Sequence, residues 1–293
     1  MALFLGVVLA LGYVFSLVLG TYWFFVGALV LSIAMNVGSY WFSDKMVLSI
    51  HKAKKVDTSN PREQEVYRLV ENMAITAGLP KPDVYVMEDS ALNAFATGRN
   101  PEHGVIAVTR GLMNTLEKAE MEGVLAHEMS HIGNRDTLVQ SVAVVLVGLV
   151  VLLAEWFINF SIFGFAGRGE GEGGGAFQVV LTLVAVVLAL LAPVLAQVMQ
   201  ATISRKRELL ADSSGALLTR YPQGLADALR KISGQSGQNT SVKTASKATS
   251  HMFLMNPLNM KADKFAKLFA SHPPVEKRIE ALMEMNTQSQ PSN

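Results

Sequence analysis

The chain has 293 residues, half of them apolar and only 17% charged, with a mean hydropathy of +0.31. A soluble domain carries about a quarter charged residues, so the shortfall points to apolar segments gathered into membrane spans. A net charge of +1 without a basic face or tail excludes a broad electrostatic case for nucleic acid, and the lack of cysteine excludes disulfides, thiolate catalysis and Cys-type zinc sites.

Residues 2–20 and 22–42 are uncharged apolar runs, each close to the ~20 residues that cross the hydrocarbon of a bilayer. The first lacks the basic start of a signal peptide and the second follows at once, so the pair reads as a membrane hairpin. Trp23, Tyr40 and Trp41 fall near the ends of the second run, where amphipathic aromatics prefer to lie. Lys45, Lys52, Lys54 and Lys55 crowd its exit.

Residues 61–79 place Val66, Leu69, Val70 and Met73 at helical spacing between Pro61 and Gly78, the pattern of an amphipathic helix. Residues 83–88 and 104–109 read as short strands, with 93–98 as a third between them. The segment 117–136 reads as a helix and carries His127-Glu128-Met129-Ser130-His131. On a helix, positions i and i+4 stack on one face, so both imidazoles can reach one ion with Glu128 beside it as general base. Two surface histidines on a polar helix are the plainer alternative.

Residues 138–160 and 177–199 form a second apolar pair, joined by a Gly-rich stretch at 164–175. No strand precedes that stretch, so it reads as a connector rather than a nucleotide-binding loop. A buried helical hairpin of a soluble protein is the alternative for this pair. Glu155 is the single acid within these runs and lies beside Trp156 near an end, the place of an interfacial carboxylate. Arg205, Lys206 and Arg207 follow the fourth run, whereas the connector offers only Arg168. The positive-inside rule then puts 43–137 and 200–293 in the cytosol.

A catalytic zinc takes three protein ligands, and the HExxH motif supplies two. Glu208 is the strongest candidate for the third. Asp212 shares its helical face at i+4, placed to fix the tautomer of one imidazole; an ordinary charged helix turn is the alternative. The helix expected over 204–218 carries both. Residues 234–250 read as a loop, 275–285 as a helix and 287–293 as a polar tail. Met252, Met255 and Met260 read as packing, and His51, His103 and His251 as surface.

Taken together, HEMSH, NAFATG at 93–98, SRKRELLAD at 204–212 and HPPVEKRI at 272–279 resemble HtpX-type membrane zinc metalloproteases, relatives of the CAAX prenyl proteases. The resemblance covers nearly the whole chain. It implies a mainly α-helical integral membrane protein, four transmembrane helices with a cytosolic zincin-like α+β metalloprotease domain. The expected divisions are a hairpin at 1–42, a zincin part at 43–137, a second hairpin at 138–199 and a helical part at 200–293. His127, His131 and Glu208 would hold one zinc ion, with Glu128 as base and Asp212 behind the ligands. Asn93, Ala94, Phe95 and Ala96 would form an edge strand along which a peptide lies, or else a plain strand. His272 and Arg278 would lie near the cleft as oxyanion or structural partners. The implied function is cleavage of misfolded or damaged membrane proteins at the cytosolic face of a bacterial inner membrane under stress, with polypeptides and the bilayer as partners. A metal permease would instead need polar ligands inside its spans. A non-catalytic scaffold or chaperone-like zinc-binding protein would have no use for Glu128.

Overall fold

The computed structural model describes residues 2–163, 205–234, 242–245, 252–255 and 273–288, with Thr249 and scattered positions between 179 and 190. The Gly-rich connector, most of the expected fourth span, His251, Met260, His272 and most of the tail lie outside the described residues. The chain divides into two compact units, Met1–Ser43 with Val142–Met199, and Asp44–Ser141 with Gln200–Asn293.

In the first unit, α1 (Ala2–Leu19) and α2 (Trp23–Ile50) are joined by a short turn in which Gly20 takes a φ of 65°. The two helices pack closely: a Cβ on Gly12 would stand 2.3 Å from that of Ala28, so this approach needs a residue without a side chain. Leu17, Trp23, Val30 and Ile33 lie exposed along them. By length and composition α2 is apolar enough to cross a membrane, and Phe4–Leu17 and Asp136–Val150 are shorter apolar stretches.

The second unit begins with β1 (Lys54–Lys55) and α3 (Pro61–Ala77). The Asn60 side chain accepts from the Arg62 and Glu63 amides and Pro61 opens the first turn, while Gly78 ends the helix at a φ of 65°. Then follow β2 (Asp83–Met87), β3 (Ala94–Thr97), β4 (Val105–Thr109), α4 (Arg110–Thr115), α5 (Lys118–Gly133), the start of α6 (Asp136–Phe163, which belongs to the first unit from Val142 onward), α7 (Arg205–Thr219), α8 (Pro222–Gly234) and α9 (Val275–Gln288). The sheet order is β1-β2-β4-β3, with β2 and β4 parallel and the outer pairs antiparallel. Every residue of β4 is buried, as expected of an inner strand. β3 stands at the edge.

Apolar faces explain the packing. Val66, Leu69 and Val70 of α3, Val84 and Val86 of β2, and Ile106 and Val108 of β4 share one core with Val124, Leu125, Met129 and Ile132 of α5. Leu225, Leu229 and Ile232 of α8 join it. Two glycines permit backbone-to-backbone contact at α5. A Cβ on Gly215 of α7 would lie 2.9 Å from the His127 amide nitrogen, and one on Gly123 would lie 2.5 Å from that of Leu225. Helix α7 therefore docks directly on the HExxH turn.

Two sequence expectations are corrected. The helix expected over 117–136 is not continuous: α5 stops at Gly133, Arg135 takes a φ of 60°, and α6 starts afresh at Asp136. His51 is not a surface residue. It is 3% exposed, with Nδ1 2.9 Å from Thr244 Oγ1 and its ring 5.4 and 5.1 Å from those of Phe95 and Phe253. Burial lowers its pKa to about 4. Its partner Thr244 is 193 residues away, which no local pattern reveals.

Candidate metal centre

Helix α5 brings His127 and His131 to one face, and α7 brings Glu208 and Asp212 against it. One ligand atom from each of His127, His131 and Glu208 falls within 4.8 Å of the others, and all three side chains are buried. The two Nε2 atoms lie 3.2 Å apart, with the rings nearly perpendicular at 88°. Glu208 Oε1 is 3.5 Å from His131 Nε2 and its Oε2 is 3.9 Å from His127 Nε2.

The other ring nitrogens face carboxylates. His127 Nδ1 is 2.9 Å from Asp212 Oδ1, in contact although off the line of an ideal hydrogen bond. His131 Nδ1 is 3.1 Å from Asp136 Oδ2. With a carboxylate at each Nδ1, each Nδ1 is placed to carry its ring's proton, which turns both Nε2 atoms toward one another as ligands. Two Nε2 atoms at 3.2 Å share either a proton or a metal cation. Two ligand nitrogens about 2.0–2.1 Å from one tetrahedral ion stand roughly 3.3 Å apart. The arrangement fits a small divalent metal.

Each carboxylate is backed by an arginine. Arg278 grips Asp212 twice, Nε to Oδ2 at 2.8 Å and Nη2 to Oδ1 at 2.7 Å. Arg207, one residue before Glu208, pairs with Asp136. Sequence reasoning missed Asp136 and Arg207, because the break at Arg135 is what turns Asp136 back toward His131. On an unbroken helix a residue at i+5 points well away from the face of i.

The titration behaviour reports the same excess of negative charge. Burial alone would lower His131, but Asp136, Glu208 and Glu128 outweigh it and leave the imidazole up at about 9. Burial keeps His127 below its ordinary value against the pull of Asp212. Burial also opposes ionisation of Asp212, yet Arg278 and His127 hold its carboxyl down at about 2. Glu128 is pushed up to about 7 by burial, against the pull of the nearby His131. Its Oε1 is buried without a hydrogen-bond partner among the described residues. An unpaired carboxylate oxygen next to two convergent imidazoles is expensive to bury, and such cost is tolerated where a reacting group is to be bound.

Asn93, Ala94, Phe95 and Ala96 are buried at the β3 edge. Arg278 is fully buried, and its Nη1 donates to the Leu254 carbonyl at 3.0 Å while the rest of its guanidinium holds Asp212. His103 is exposed, and Glu155 lies exposed on α6.

Residues 60–286 match the model of peptidase family M48. Among curated relatives, the "Protease HtpX homolog" of Syntrophobacter fumaroxidans is 46% identical over 261 residues, covering 88% of each chain. That of Pyrococcus furiosus is 43% identical over 285 residues, covering 97% of this chain and 93% of the relative. The crystal structure of Ste24p from S. mikatae superposes with a TM-score of 0.52 at 17% identity, covering 94% of this chain and 62% of that one, a likeness of fold. The match over 227 residues (286 − 60 + 1) exceeds half of the 293-residue chain, so this protein belongs to peptidase family M48.

Proposed function

We propose that the chain is a membrane-embedded, zinc-dependent endopeptidase in which His127, His131 and Glu208 hold one ion and Glu128 is the general base. The observation that carries this is the convergence of two imidazole Nε2 atoms, 3.2 Å apart, on the Glu208 carboxylate beside the buried, half-unpartnered Glu128. His₂Glu with an open position favours zinc over other divalent ions.

A divalent ion held there supplies Lewis-acid polarisation of a water and of the scissile carbonyl. Glu128 does the proton work. Burial raises its carboxyl to about 7 even with His131 pulling the other way, and a further positive charge beside it would favour its ionised, basic form. It takes the proton of the attacking water and returns it to the departing amine. Asp212 and Asp136 keep both imidazoles oriented with Nδ1 protonated, and Arg278 and Arg207 hold those carboxylates. Ala96 of β3 packs in one core with Leu125, Ala126 and Met129, the α5 residues around Glu128, which sets the base beside the β3 edge.

The exposed apolar side chains of α1 and α2 suit a hydrocarbon solvent rather than water. With the apolar runs at 138–160 and 177–199, the reading is four spans that leave 43–137 and 200–293 on the cytosolic side of the cell membrane. Cleavage of misfolded or damaged membrane proteins there suits a recognition mode based on main chain, which is tolerant of sequence. A non-catalytic, chaperone-like scaffold is the competing reading.

The test is cleavage of fluorescein-labelled casein by the detergent-purified, zinc-loaded protein. Hydrolysis that stops with a chelator and returns with zinc is expected. Hydrolysis indifferent to the chelator, or none at all, rules against the reading.

A further inference from the structure

Strand β3 pairs with β4 along Ala94–Thr97 on one edge. Its other edge meets Met252, Phe253, Leu254 and Met255 of the chain itself. Phe95 and Phe253 form an isolated antiparallel bridge, and the Leu254 amide donates to the Ala94 carbonyl at 2.9 Å. The Asn93 side chain closes on Met255 at two points, Nδ2 donating to its carbonyl at 2.8 Å and Oδ1 accepting from its amide at 3.2 Å. Arg278 Nη1 takes the Leu254 carbonyl at 3.0 Å. All of these hydrogen bonds fall on the main chain of the segment, which is how a sheet edge holds an extended peptide whatever its side chains.

The same strand lies against the helix of the proposed base, because Ala94 and Ala96 share one core with Val124, Leu125 and Met129 of α5. A substrate laid antiparallel along β3 would pair with the main chain of that edge, where the Ala94 carbonyl already accepts from Leu254 and the neighbouring Asn93 side chain already holds Met255. Two strands cannot share one edge.

We propose that Met252–Met255 is an internal occupant of the substrate edge, held as a substrate strand is held, and that an incoming peptide must displace it. This rests on the peptidase reading above. It also assigns the substrate chemistry. Phe253 lies against the rings of His51 and Phe95, 5.1 and 5.4 Å away, and Leu254 is 1% exposed within the core. The strand that competes best is an extended apolar one with an aromatic residue followed by an aliphatic residue. Such sequences are abundant in unfolded membrane segments and are hidden in folded proteins. Among the described residues the occupant is tied to β3 itself by the Phe95–Phe253 bridge and the Leu254–Ala94 hydrogen bond, neither of which is part of the β3–β4 ladder, so its departure leaves that ladder whole.

The chain has no cysteine, so an introduced pair has no competitor. Opposed residues of antiparallel strands have Cα atoms about 4.5–5.5 Å apart, within disulfide reach. Ala94→Cys with Leu254→Cys therefore permits the segment to be locked by oxidation and freed by reductant. In a Glu128→Gln background, a fluorescein-labelled octapeptide with the sequence of residues 250–257 is titrated against the full chain in detergent and followed by anisotropy. Binding at least tenfold tighter after reduction is expected, and equal affinity in both states overturns the proposal. If the pair does not fold, Phe253→Ala in the same background decides: a competitor weakened by this change admits the octapeptide at least threefold more tightly, whereas an unchanged or poorer affinity marks a structural strand. With Glu128 intact, reduction should also restore casein cleavage. Peptide binding without cleavage by the wild-type protein would sink the peptidase reading and leave the occupant in place.

Discussion

His131 Nδ1 and Asp136 Oδ2 lie 3.1 Å apart although the residues are only five positions apart in a stretch that is helical on both sides. The contact exists because the chain reverses its local course at Arg135, whose positive φ is uncommon for a residue with a side chain. A strained position kept beside two convergent imidazoles is a mark of function rather than of packing. It gives His131 the same support that Asp212 gives His127, a carboxylate held in turn by an arginine.

Asp136→Asn should therefore weaken zinc binding by about 10- to 100-fold while leaving the fold in place, since partners that orient ligand imidazoles contribute on that scale. Chelator competition on the purified variant measures this. Arg207→Gln should have a smaller effect, because the Arg207 side chain is 47% exposed and its pairing is screened by solvent. An unaltered zinc affinity in Asp136→Asn would remove Asp136 from the site.

Glu128→Gln should retain zinc with wild-type affinity and lose roughly 10²- to 10⁴-fold in casein cleavage, the usual contribution of a positioned acid–base group. Metal content and turnover, measured on one preparation, separate these two effects. Loss of zinc together with cleavage would make Glu128 a support of the metal instead of a base.

Gly215→Ala should destabilise the unit by about 1–3 kcal/mol, because the added methyl meets the His127 main chain at 2.9 Å, where no flexible side chain can yield. The same displacement would carry Glu208 and Asp212 away from the histidines. Thermal unfolding and zinc affinity should fall together. A variant that loses neither would mean that α7 and α5 are less closely docked.

The buried His51 makes stability fall on acidification. Its folded pKa of about 4 lies below the ordinary 6.5, so the unfolded chain binds the extra proton. Stability is lost as pH drops from about 6.5 toward 4 and levels off below that. The full effect is roughly 3 kcal/mol at 1.36 kcal/mol per unit. His51→Asn should flatten this part of the stability–pH curve, measured by denaturant unfolding at pH 7 and pH 4.5. An equal acid loss in the variant would place the sensitivity elsewhere.

Much of this architecture is legible in the residues themselves. Apolar runs mark α1 and α2, the 3.6-residue spacing of Val66, Leu69, Val70 and Met73 marks α3, and the turn residues around 83–109 mark three of the four strands. The i and i+4 spacing of His127 with His131, and of Glu208 with Asp212, foretells which side chains share a face, and the structure brings the first three of these together. What escapes is non-local or depends on a single dihedral. Arg135 carries no signal of its left-handed turn, so Asp136 could not be linked to His131. Asn93 and Met255 are 162 residues apart, and Asp136 and Arg207 are 71 apart. Such pairs arise only once the core has set the elements in place, and so the edge of β3 reads as open in the sequence and is met by the chain's own segment in the structure.

The most direct measurement is the zinc content of the detergent-purified protein, by elemental analysis, in the wild type and in Glu128→Gln, His131→Ala and Glu208→Ala. One ion per chain is expected in the first two and well under one in the ligand variants, as for a site with three protein ligands. Zinc retained in full by both His131→Ala and Glu208→Ala, or absent from the wild type after zinc is supplied, would contradict the assignment of His127, His131 and Glu208 as one metal centre.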